Sequence, residues 1–186
     1  MKIVPTSLVR LLALFLALAF VAPWTAPAAE KEPELECQIK RSRKMRIEGG
    51  DYDDKTEKIS FDITLTNKHW KEPVSGLNGV FYVFGESVHD RKAFKLVQKE
   101  NFRVEIEPRG TFETTTPIAE MKYDTTGASF GEKYRGWVLC LENEEGLKVY
   151  EEASSAFIKD TTPLAKLDVG EFCDREGKLI AKPERP

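Results

Sequence analysis

Between residues 37 and 158 most of the chain alternates apolar and polar side chains, the period of strands with one buried face. The clearest stretch is EKISFDITLTNK (57–68), where Ile59, Phe61, Ile63 and Leu65 share one face and Ser60, Asp62, Thr64 and Thr66 the other. In GVFYVFGESV (79–88) both faces are apolar from Val80 to Phe84, which predicts a central strand. Further strands are predicted at 37–47, 93–98, 102–107, 111–118, 119–124, 134–142 and 147–154. The first of these is rich in exposed cations, as edge strands often are. Asn143-Glu144-Glu145-Gly146 reads as a hairpin turn with glycine near the left-handed position.

With no long helical pattern and no repeat, about seven to nine strands predict an all-β fold. The leading architecture is an antiparallel immunoglobulin- or fibronectin-like β-sandwich. A closed barrel of the lipocalin kind is second, since it calls for longer and more even strands.

The N-terminus adds a compartment. Lys2 and Arg10 flank a basic start, residues 11–22 form an apolar run of 12, and Ala26-Pro27-Ala28 supplies small residues for cleavage. The run is too short to span a bilayer and fits a signal peptide over 1–29. The expected organisation is then a leader at 30–36, a sandwich at 37–175 and a polar tail at 176–186. Export across the inner membrane, to periplasm or cell surface, is the expected destination, with no stable membrane span after cleavage. Of 28 Lys+Arg and 31 Asp+Glu, two cations leave with the signal, so the remaining balance is 26 − 31 = −5. That balance argues against nucleic acid as a partner.

Three cysteines in an exported chain allow one disulfide among three pairings. Cys37–Cys173 is favoured because each lies near an end of the folded region, and the bridge would close 173 − 37 = 136 residues. On the loop-entropy model such a bridge is worth up to about 4–5 kcal/mol. Free buried thiols are the alternative.

Candidate chemistry is sparse. There is no G-x-S-x-G, H-E-x-x-H or phosphate-binding loop, and the expectation is a non-enzyme without cofactor or metal. Ser87, His89 and Asp90 are the residue types of a hydrolytic triad, but neighbours on an extended chain point in alternate directions. His89, Asp90 and Arg91 are expected instead to crest a strand connection and to touch a partner. His69 and Trp70, at the end of the second strand, either cap the core or stack on a sugar ring. Asp51, Asp53 and Asp54 faintly suggest a calcium loop, but lack its glycine and terminal glutamate and read better as a solvated turn.

ISFDITLTN, VFYVFGESVHDRKAFKLV and GEKYRGWVLCLENEEGLKVY together resemble the strand core of small exported immunoglobulin-like sandwich proteins of verrucomicrobial bacteria. The resemblance covers about residues 37–175 and implies an interaction role with no catalytic residue. The expected partner is an envelope or surface protein bound through a strand edge or end loops; a glycan is the alternative.

Overall fold

A computed structural model describes residues 33–47, 55–124 and 130–184. The signal-peptide region and the Asp51–Asp53–Asp54 turn lie outside them. Ten antiparallel strands follow one another: β1 (Leu35–Ile47), β2 (Lys55–Asn67), β3 (Val74–Ser87), β4 (Phe94–Ile106), β5 (Thr111–Thr115), β6 (Ala119–Asp124), β7 (Phe130–Glu142), β8 (Lys148–Ala153), β9 (Phe172–Cys173) and β10 (Leu179–Ile180). A five-residue 3-10 turn, Thr162–Lys166, is the only helical element among the described residues.

In one layer β2 lies between β1 and the successive strands β5 and β6. In the other, β3 lies between β4 and β7, β8 extends β7, and β9 and β10 extend β4. β7 belongs to both, because its first two residues pair with β6 before Glu132–Glu142 pair with β3. The fold is all-β, antiparallel and sandwich-like. The two strands expected at 93–98 and 102–107 are one continuous β4, since Lys99, Glu100 and Asn101 pair with Tyr82, Phe81 and Val80.

The alternation in β2 explains the inner core. Ile59, Phe61, Ile63 and Leu65 are at most 1% exposed and meet Phe81 and Val83 of β3, Val104 and Ile106 of β4, and Leu139 and Leu141 of β7. Phe61 sits edge-on to Phe81 at 5.1 Å, and Phe81 stacks on Trp137 at 5.7 Å. Each such ring contributes about 1.5–3 kcal/mol by leaving water.

The other face of the second layer is covered as well. Tyr82, Phe84, Phe94, Leu96, Val138 and Cys140 form a separate cluster with Phe157, Ile158, Leu164, Leu167 and Cys173. The chain after β8 therefore covers this face, which explains why β3 is apolar on both sides. Lys99 fastens it, donating to the carbonyls of Ala165 at 2.9 Å and Leu167 at 3.1 Å. Residues 176–184, read from sequence as a polar tail, contribute β10. Gly146 ends the β7–β8 hairpin at φ +78°, the left-handed conformation that its lack of Cβ permits.

Candidate functional site

The connections β2–β3 and β4–β5 meet at one end of the sandwich. Asn67 closes β2 at 1% exposure, and its amide does the joining. Its Nδ2 donates to the Glu72 carbonyl at 2.8 Å and the Glu107 carbonyl at 3.4 Å, while its Oδ1 accepts from the His69 amide at 2.9 Å. The Arg109 amide donates to the His69 carbonyl at 3.1 Å. His69 Nδ1 accepts from the Glu72 amide at 3.0 Å, which leaves the ring proton on Nε2, 3.4 Å from the Glu72 carboxylate. His69 is thus a structural brace of its loop.

Trp70 stands on this platform at 69% exposure and caps no core. The Arg109 guanidinium lies 3.4 Å from its ring centroid, a cation–π stack on one face of the indole. Arg109 adopts φ +60°, an uncommon conformation for a side chain with a Cβ.

His89, Asp90 and Arg91 are at the opposite end. The Asp90 carboxylate accepts from the Lys92 amide at 2.9 Å, and the Ala93 amide donates to the Asp90 carbonyl at 3.0 Å, closing a tight turn. His89 Nε2 is enclosed without a hydrogen bond, so it is joined to neither Ser87 nor Asp90. Arg91 is exposed. β3 separates this turn from Trp70 by a full strand, on the order of 40 Å. The five candidate binding residues therefore form two surfaces, not one.

The expected Cys37–Cys173 bridge is not formed; all three cysteines are free thiols. Cys37 packs on the inner core and Cys173 in the outer cluster, on opposite sides of the second layer. Cys140 and Cys173 share a cluster, yet Cys140 pairs with Val80 while Cys173 reaches β3 only through Phe94 and Glu86. Six residues along β3 amount to about 20 Å, far beyond disulfide reach. Burial pushes the thiols up, Cys37 to about 12, Cys140 to about 11 and Cys173 to about 12, with carboxylates at Glu152, Glu151 and Asp174 adding to it. In the unfolded chain they ionise near 9, so their stabilisation is complete below pH 9 and is lost as pH rises toward 12. The urea midpoint should fall from pH 9 upward, and less steeply when all three are replaced by alanine. Equal slopes would refute the assignment.

A third surface is β1. It pairs with β2 in unbroken register over all 13 residues, and nothing among the described residues pairs with its outer edge. Residues 40–47 are all exposed, with Met45 and Ile47 at 47% and 52%, while Ile39 before them is half-buried against the inner cluster. Facing inward beneath this half of β1 is Glu57 of β2, 1% exposed and ion-paired with Arg43. Beyond that pair neither Glu57 oxygen accepts a hydrogen bond. Arg41 lies 4.9 Å over the Tyr134 ring, and burial raises the Tyr134 and Tyr123 phenols above their ordinary range.

No protein-family model matches the chain, and no curated protein matches it. Among solved structures it is similar to a crystal structure from the verrucomicrobial bacterium Akkermansia muciniphila. The identity is 14%, over 75% of this chain and 80% of that one, with a TM-score of 0.27, too low to carry an argument about function.

Among the described residues no three His, Cys, Asp or Glu side chains gather as a metal site would require, and no helix is long and apolar enough to cross a membrane. A shallow groove of about 400 Å³ between β4 and β6 holds Lys95 and Glu132, but these pair with each other at 3.1 Å. Sequence reasoning missed Asn67, Arg109 and Glu57. Glu57 alone carried a signal, since it falls in phase with Ile59 and Phe61 on the buried face.

Proposed function

We propose that this protein is an exported, non-enzymatic interaction module of the cell envelope that engages a protein partner through the free edge of β1. The observation that carries the reading is that edge: a long, regular strand whose outer backbone groups are open to pairing. The sequence of residues 1–29 supports export. A fibronectin-like reading of the sandwich draws support from the pairings β1–β2–β5/β6 in one layer and β4–β3–β7–β8 in the other.

A second reading, a glycan-binding module, is favoured by Trp70, an exposed indole held on a braced platform with one face free. Affinity capture from the native envelope fraction separates the two. Adjacent strand positions direct their N–H groups to opposite edges, so one of Ser42→Pro and Met45→Pro blocks the free edge while the other breaks the ladder to β2. The variant that keeps its melting temperature should lose the captured protein, and Trp70→Ala should retain it. Capture of polysaccharide alone, lost in Trp70→Ala, would overturn the first reading in favour of the second.

A further inference from the structure

We propose that the segment joining β1 is an extended, acidic peptide strand. The inference rests on the edge reading above and adds the chemistry of what binds there. Lys40, Arg41, Arg43, Lys44 and Arg46 place five cations in seven residues with no acid among them, in a chain whose net charge is −3. Arg43 is used internally by Glu57. Lys40, Lys44 and Arg46 point the other way: Lys40 and Lys44 share a face with the exposed Asp62 and Lys58 of β2, and Arg46 lies on the same face and is itself exposed. None of the three forms an ion pair among the described residues. Lys40 stands across from Asp62, whose carboxylate accepts from the Thr115 hydroxyl, Lys44 across from Lys58, and Arg46 across from Thr56, so β2 sets no acid opposite Lys44 or Arg46.

A single lysine suffices to discourage a strand edge from aggregating. Three cations on one face, two of them with no acid opposite, do more, because they select the charge of whatever adds. A second copy of β1 centred on Arg43 is a poor occupant. Antiparallel pairing centred on the cationic stretch sets Lys40 against Arg46 twice and Arg43 against its own copy, and like charges directly opposite are destabilising. An added strand with acids at alternate positions places carboxylates beside the three cations, while its backbone completes the free ladder.

The test uses the mature protein and four labelled ten-residue peptides: alternating Thr-Glu, Thr-Gln and Thr-Lys, and Thr-Glu with every amide N-methylated, which blocks both edges. Three exposed ion pairs should make Thr-Glu bind about tenfold more tightly than Thr-Gln at low ionic strength. The gap should close in concentrated salt, where the screening length shrinks to about 3 Å. Lys40→Glu/Lys44→Glu/Arg46→Glu should reverse the preference toward Thr-Lys, and circular dichroism verifies that this variant folds. N-methylation of both edges should abolish binding.

Equal binding of Thr-Glu and Thr-Gln would overturn the acidic chemistry while leaving strand addition standing. Undiminished binding of the N-methylated peptide would overturn strand addition itself, as would binding of none of the peptides. Adsorption to phosphatidylglycerol vesicles that Thr-Glu fails to displace would assign the cations to a lipid surface instead. A dimer that Thr-Glu fails to dissociate would assign the edge to a second copy.

Discussion

Phe157→Ala is expected to cost the fold about 3–5 kcal/mol, the range for removing a fully packed aromatic ring. Phe157 is 2% exposed and meets two rings edge-on, Phe84 at 5.5 Å and Phe94 at 5.4 Å. It also rests on Gly136, where an added Cβ would come within 2.6 Å of the ring, and it carries Arg135 over its outer side at 5.6 Å. Lost edge-to-face pairs add to the lost burial, and no neighbour is free to collapse into the space. For a domain of this size the melting temperature should drop on the order of 10 °C. Urea unfolding at constant m-value measures it. A loss below about 1 kcal/mol would mean that the covering segment is not docked on the sheet in solution.

Arg43→Ala should be the second most damaging change, because of what it leaves behind rather than what it removes. Glu57 would remain inside the sandwich without its partner, and stranding a buried charge costs about 3–5 kcal/mol when the pair is fully enclosed. Arg43 keeps 39% of its side chain in solvent, which softens the penalty to about 2 kcal/mol. The paired replacement Arg43→Met/Glu57→Leu should restore stability to near the original, since it removes the charge together with its partner. If the double variant is as unstable as Arg43→Ala, the loss belongs to packing at β1 and not to the stranded carboxylate.

How much of this was legible depended on whether the signal was periodic. β2 was plain because four large apolar residues alternate with polar ones, and β6 matched the expected 119–124. The covering segment was not legible. Phe157-Ile158, Leu164, Leu167 and Phe172-Cys173 are short apolar islands spaced by polar chain, with no strand or helix period to expose them. An indirect signal did exist: a strand apolar on both faces requires something to lie on each, and only the chain after β8 was left to supply it. The Asn67–Arg109 platform was unreadable for a different reason. Its two halves lie about forty residues apart, and only strand pairing brings them together.

The position of that cover in the chain sets the order in which the protein is completed. Synthesis runs from the N-terminus, so the layer containing β3, β4 and β7 exists before the residues that shield its outer side are made. Until then Tyr82, Phe84, Leu96 and Val138 offer a bare apolar surface, the kind that drives association between growing chains. Synthesis of Phe157 to Cys173 is therefore what turns a sticky half-product into a closed domain. A stop between β8 and Phe157 would leave a chain with all its long strands and the outer apolar face of the second layer bare.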